Sequence, residues 1–234
     1  MTQIPLQIDG IPALLWGDSA DKLLLAVHGN RSHKADDMIV QLAEEATTHG
    51  YQVLSFDLPG HGDRRVVSLI CNVWDCVSDL GIVMNYARQL STHISVFACS
   101  MGAYFSLIAY REEPLERCLF LSPVVDMWRI SENMMRRFHI SEAQVQAEGE
   151  VPTPLGQTLY WDVFRYVKAH RADVWNTPTS ILYGGDDDLC EAAVIDSFTQ
   201  RYGCQLTVLA HGKHYFRTEA QMAFYRSWLK AQSW

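Results

Sequence analysis

The amino-acid sequence predicts an α/β protein: a mostly parallel central sheet with helices on both faces and a small helical insertion late in the chain. Three observations predict it. Short apolar runs rich in Leu, Val and Ile recur along the chain, and unbroken runs of that length belong to strands buried on both faces. Longer segments with helical spacing of apolar residues separate those runs. Between residues 124 and 176 the strand rhythm fails, then resumes.

Each element follows from its residues. Residues 4–8 and 11–16 read as two opening strands joined at Asp9 and Gly10, a pair that favours the tight turn of a hairpin. The run LLLAV at 23–27 is a buried strand, 35–49 a helix, and 51–56 the next strand. Gly50 ends that helix as glycine commonly does. After a turn at 58–62 come a helix at 73–90, a strand at 94–98, a helix at 100–110 and a strand at 118–121 stopped by Ser122 and Pro123. The insertion reads as two or three helices carrying Met127, Trp128, Met134, Met135, Phe138, Tyr160, Trp161 and Phe164. A strand at 180–183, a helix at 191–201, a strand at 205–209 and an amphipathic helix at 218–230 complete the pattern. Residues 1–234 are expected to form a single domain, with residues 124–176 inserted in it as a helical cap.

Composition narrows the function. With 234 residues, 48% of them hydrophobic and 20% charged, the chain has the balance of a globular protein with a large core. A formal net charge of −8 argues against a nucleic-acid partner, whose phosphates draw clustered Lys and Arg. No window approaches the roughly 18 unbroken apolar residues of a spanning helix, and the first residues lack a secretory pattern. A cytoplasmic location without a membrane span is the expectation. The six cysteines (71, 76, 99, 118, 190 and 204) include no pair at CxxC spacing, so they read as buried free thiols. No metal is expected: His33, His49, His61, His93, His139 and His170 have no ligand spacing.

The stretch SVFACSMGA at 95–103 carries the chemistry. A strand runs directly into a helix with Ser100 at the corner, the form of a nucleophile elbow, which needs small residues on either side so that strand and helix can approach. Ala98 and Gly102 hold those two places; the usual pattern has glycine at the first. A helix-capping serine fits the same five residues. A serine hydroxyl needs a base, and the base an orienting carboxylate. LYGGDDDL at 182–189 brings acids to the carboxyl end of a strand, and AHGKHYF at 210–216 offers His211 and His214 after the last one. The order Ser, Asp, His is that of one known fold class.

On these residues, with His28-Gly29-Asn30 after the first long strand and DLPGHG at 57–62, the chain resembles the α/β-hydrolase superfamily. Its pattern is similar to small capped esterases and serine-aminopeptidase-like hydrolases. The resemblance spans nearly the whole chain outside the insertion, and it implies the α/β-hydrolase fold, with Ser100 as nucleophile, His214 as base and no cofactor. In the family's G-x-x-D pattern, counted from Gly184, the acid is Asp187; Asp186 and Asp188 are then solvated charges, and Asp126 is a rival position. The resemblance further implies an oxyanion hole of the Asn30 and Met101 amides and a structural role for His28. Arg64 and Arg65 read as a solvated pair able to reach an acidic substrate. Met134, Met135, Phe138 and Trp161 are expected to line a substrate pocket under the cap.

The expected function is hydrolysis of a small-molecule carboxylic ester or related acyl bond through an acyl-enzyme. A serine aminopeptidase or amidase, binding an ammonium group through Glu132, Glu142, Glu148 or Glu150, is an alternative. A non-catalytic small-molecule receptor on the same scaffold is another, since fold does not settle function. The residues say nothing of oligomeric state.

Overall fold

Alternate residues of the central strands go to opposite sides, and both sides are apolar. In β3 (Lys22–Val27), Leu23, Leu25 and Val27 join one buried cluster while Leu24 and Ala26 join the other. The same division runs through β5 (His93–Cys99), with Val96 and Ala98 on one side and Phe97 on the other. A strand with two apolar faces must be covered twice, and each fully buried aliphatic or aromatic side chain contributes roughly 1.5–3 kcal/mol.

The computed structural model describes residues 1–65, 71–154 and 158–234. Within them an eight-stranded sheet has the order β1-β2-β4-β3-β5-β6-β9-β10. β1 (Gln3–Ile8) and β2 (Ile11–Trp16) form an antiparallel hairpin, with Asp9 at φ 48° and Gly10 at φ 83° in its turn. β2 pairs antiparallel with β4 (Tyr51–Phe56); the pairings from β4 through β3, β5, β6 (Cys118–Leu121) and β9 (Thr179–Gly184) to β10 (Gln205–Leu209) are parallel. Helices α1 (Asp37–Thr48) and α8 (Glu219–Lys230) cover one face, with Ile39, Leu42, Tyr225 and Trp228 against Leu24 and Phe97. α2 (Val73–Leu90), α3 (Met101–Ala109) and α7 (Ala192–Tyr202) cover the other, through Leu80, Val83, Leu107 and Ile195.

Strand order reverses beside β3: the chain leaves it for β4 on one side and returns to β5 on the other. Such a reversal opens a crevice beyond the carboxyl ends of the two strands, where open α/β sheets bind their ligands. Residues 28–30 and Ser100 follow the ends of those two strands.

Between β6 and β9 lie α4 (Met127–Phe138), α5 (Glu142–Glu148), a two-stranded hairpin of β7 (Glu150–Pro152) and β8 (Thr158–Tyr160), and α6 (Trp161–Ala169). The sequence pattern did not reveal the hairpin, whose strands have only three residues each and so no readable alternation. Residues 155–157 of the insertion lie outside the described residues. Met134, Met135, Ile140 and Trp161 pack on Val145, Val151 and Leu159, a small core separate from the two at the sheet. Trp128 and Trp161 both lie against Phe164, at ring separations of 4.5 and 5.6 Å.

Candidate active site

Ser100 ends the run from β5 into α3 with φ 52° and ψ −122°, a conformation that costs a non-glycine residue about 1–3 kcal/mol and persists only where its surroundings enforce it. Its amide donates to the Leu121 carbonyl at 3.0 Å, and its carbonyl accepts from Val124 at 3.0 Å. The end of β6 and the segment after it thus hold the corner from both sides. A Cβ on Gly102 would stand 3.0 Å from the Val27 carbonyl and deeper still inside the shell of the His28 carbonyl. Only glycine lets α3 start this close to β3. Ala98 is fully buried, its methyl group part of the apolar cluster that includes Val27 and Phe120.

Ser100 Oγ lies 2.8 Å from His214 Nε2, and His214 Nδ1 lies 2.7 Å from Asp187 Oδ2. The side chains of His214 and Asp187 are 1% and 0% exposed. Asp187 Oδ1 accepts the amides of Leu189 and Cys190 at 2.8 and 2.9 Å, so one carboxylate oxygen is held by the loop and the other is left to the imidazole. The two loops interlock: a Cβ on Gly184 would meet the Gly212 carbonyl at 2.5 Å. The close strand-end approach brings acid and histidine together across 27 residues of chain.

The neighbouring candidates lie elsewhere. Asp186 and Asp188 are exposed, and Asp186 faces His211 at 3.5 Å, whose side chain is 92% exposed. Asp126 caps α4, accepting the Arg129 amide at 3.0 Å, and pairs with Arg171 at 2.6 Å. Arg64 pairs with Asp79 and donates to the Asp57 carbonyl at 3.2 Å; it braces the loop after β4 and is no free solvated charge.

At the helix start, the first amide bond is donated by Ala103 to the Ser100 carbonyl at 3.1 Å, which leaves the amides of Met101 and Gly102 over, as helix geometry requires. Opposite them, a Cβ on Gly29 would stand 3.1 Å from the Ser100 Cβ, so the loop bearing Asn30 runs against the serine. His28 fixes that loop: its Nδ1–H donates to the Gly29 carbonyl at 2.7 Å, and its Nε2 accepts the Leu58 amide at 3.0 Å. Burial lowers its pKa to about 4, so it remains the neutral tautomer that this pair of bonds needs. His61 is a satisfied loop histidine: it is buried, with Nδ1 2.8 Å from the Pro59 carbonyl and Nε2 3.2 Å from Asn30 Oδ1. His61 lies five residues past the end of β4 in a turn-rich loop that carries no periodic signal, so its contact with Asn30 was not readable from the sequence.

A cavity of about 370 Å³ opens over Ser100 and His214. Its further walls are the loop after β3 and the start of α1 (Asn30, Arg31, Asp36, Asp37, Met38) and the segment after His214 (Tyr215, Phe216, Arg217, Met222). Met134, Met135, Phe138 and Trp161 do not line it, contrary to the expectation from sequence. Met134, Met135 and Trp161 are spent in the insertion's own small core, and Phe138 lies against Arg137. Nor do Glu132, Glu142, Glu148 and Glu150 reach the cavity; Glu142 pairs with Lys168 at 2.9 Å and Glu132 lies 3.7 Å from Arg129.

Among the described residues, Asp187, Cys190 and His214 offer ligand atoms within 4.8 Å of one another. The Asp187–His214 hydrogen bond already uses two of these donors, and burial pushes the Cys190 thiol well above its ordinary range, keeping it protonated. No helix of the described residues is long and apolar enough to cross a membrane.

A sheet of this order with a serine at the turn into α3 and a buried acid–histidine pair beyond its last strands defines an α/β hydrolase. The chain belongs to the alpha/beta hydrolase family, whose match extends over residues 24–227. Among curated hydrolases it is 26% identical over 130 residues to Hydrolase ORFZ of Pyricularia oryzae, a match covering 50% of this chain and 28% of that protein. The chain thus aligns with just over a quarter of that relative's length. Among solved structures it resembles the esterase Est1E from Butyrivibrio proteoclasticus with ferulic acid bound, at a TM-score of 0.79, 19% identity and 98% coverage of both chains. It also resembles mouse alpha/beta hydrolase domain-containing protein 10, at a TM-score of 0.74, 15% identity and coverage of 98% and 97%. At such identities the likeness is one of fold.

Proposed function

We propose that this hydrolase is a serine esterase that cleaves the carboxylic ester, or a related acyl bond, of a small molecule through an acyl-enzyme. The observation that carries the reading is the relay Ser100 Oγ–His214 Nε2–His214 Nδ1–Asp187 Oδ2, with links of 2.8 and 2.7 Å, opening on a cavity. His214 takes the hydroxyl proton as Ser100 attacks the carbonyl carbon, and Asp187 stabilises the imidazolium that forms. The Met101 and Asn30 amides receive the oxyanion; one such donor is commonly worth about 3–4 kcal/mol of barrier. The imidazolium then protonates the leaving alcohol, and a water deprotonated by His214 releases the acid. Residues 124–176 act as a cap beside this site, inserted in a single domain of residues 1–234.

An aminoacyl substrate is the second reading, now favoured by Asp36 and Asp37, the carboxylates on the cavity wall. A fluorophosphonate probe should label Ser100 alone, and short-chain p-nitrophenyl esters should turn over. Labelling that persists in Ser100→Ala would refute the assignment. Labelling without turnover of any ester or aminoacyl amide would leave the scaffold a receptor.

A further inference from the structure

Cys71 and Cys76 are not spaced as a redox motif, yet their sulfurs lie 3.3 Å apart. Cys71 immediately precedes Asn72, the capping residue of α2, and Cys76 is in the first turn of that helix. An S–S bond is about 2.05 Å long, so closure needs an approach of little more than 1 Å. Their exposures differ in the sense that ordered thiol chemistry requires: Cys71 is partly exposed and Cys76 is buried. The His61 ring is close enough to Cys71 to shift its thiol, and its two nitrogens bond the Pro59 carbonyl and Asn30 Oδ1.

We propose that Cys71 and Cys76 form a peroxide-reactive dithiol in which Cys71 is the attacking thiol, Cys76 the resolving one and His61 the proton donor. The Cys71 thiolate attacks one oxygen of hydrogen peroxide; the S–O bond forms, the O–O bond breaks, and the departing hydroxide takes a proton from His61 and leaves as water. Cys76 then gives up its proton as its sulfur attacks the Cys71 sulfur. The S–S bond forms, the S–O bond breaks, and the second hydroxide is protonated to water. Two thiols are oxidised by two electrons and one peroxide is reduced to two waters.

The electrostatics agree with this division of labour. The Cys76 contact and the His61 ring outweigh burial at Cys71 and lower its thiol to about 6, whereas the same contact and burial push Cys76 far up. Burial works against charge on His61, but the Cys71 sulfur and the Pro59 carbonyl overcome it and raise its pKa. Thiolate is the reactive form, and a low-pKa, accessible sulfur beside a second thiol is the pattern of oxidisable cysteines. The other cysteines lack it: burial raises Cys99, Cys118, Cys190 and Cys204.

Both sulfurs fall in one tryptic peptide, residues 66–88, which makes the test direct. The full chain is treated with a small molar excess of hydrogen peroxide at pH 7, blocked with iodoacetamide, digested and mapped by mass spectrometry. The expected result is a 66–88 peptide lighter by two hydrogen atoms that takes up no alkyl groups until reduced, while the other cysteines alkylate as before. In Cys76→Ser, Cys71 should accumulate as a sulfenic acid trapped by dimedone. His61→Gln should slow oxidation roughly tenfold at pH 7 and not at pH 9, where the thiol ionises without help. A 66–88 peptide that alkylates at both cysteines after peroxide overturns the proposal, as does preferential oxidation of another cysteine or a His61→Gln defect equal at both pH values.

Discussion

The α-carbon of Gly102 passes directly beneath the His28 carbonyl, so close that the space between them cannot hold a methyl group. The obstruction is backbone on both counts, His28 and Val27, and cannot swing aside. Gly102→Ala should therefore force α3 away from β3, lowering stability by about 1–3 kcal/mol and slowing fluorophosphonate labelling of Ser100. Thermal unfolding and labelling rates check this; a variant with the parent's melting temperature would show that the corner has slack.

The acid is tested by four asparagines. Asp187→Asn should leave the fold intact and lower kcat by about 10,000-fold, because His214 loses its tautomer and its counter-charge. Asp186→Asn and Asp188→Asn should change kcat little, both being solvated. Asp126→Asn should cost some stability through its pairing with Arg171 while sparing kcat. Steady-state kinetics on one ester ranks them, and a crippled Asp126→Asn would move the acid to the earlier strand.

His28 couples folding to pH. Its pKa is lowered from 6.5 to about 4 in the folded state by burial, so between those values the unfolded chain holds the extra proton. Its contribution is complete above pH 6.5 and is lost as pH falls toward 4, amounting to about 3 kcal/mol. His28→Gln should be less stable than the parent at pH 7, and the gap should shrink on acidification. Denaturant unfolding at pH 7, 5.5 and 4 measures it, and a constant gap would contradict the mechanism.

Substrate choice should follow the cavity wall. Met38→Ala and Met222→Ala enlarge the space beside Ser100 and should shift preference toward longer or bulkier acyl groups, by about tenfold in relative kcat/KM. Trp161→Ala, which hollows the insertion's own core, should lower stability by about 1–3 kcal/mol and leave the acyl profile unchanged. A p-nitrophenyl ester series with melting curves for all three separates the cases. A shifted profile in Trp161→Ala would return the insertion to the pocket.

The sheet, its helices and the meeting of Ser100, Asp187 and His214 were readable from the chain, because they rest on local rules. Two-sided apolar runs make buried strands, glycine and alanine around a serine permit a tight corner, and glycines before an acid free a strand end. Those rules hold wherever the segments finally lie. The cavity wall, the burial of His61 and the contact of Cys71 with Cys76 were not readable: the first two depend on which loops meet across the crevice beside β3, and the third on how the chain enters α2. Met134 and Trp161 show the limit most plainly. An apolar side chain in an insertion can fill a pocket or fill a core with the same hydrophobic gain, and only the packing of α4 and α6 around Val145, Val151 and Leu159 decided between them.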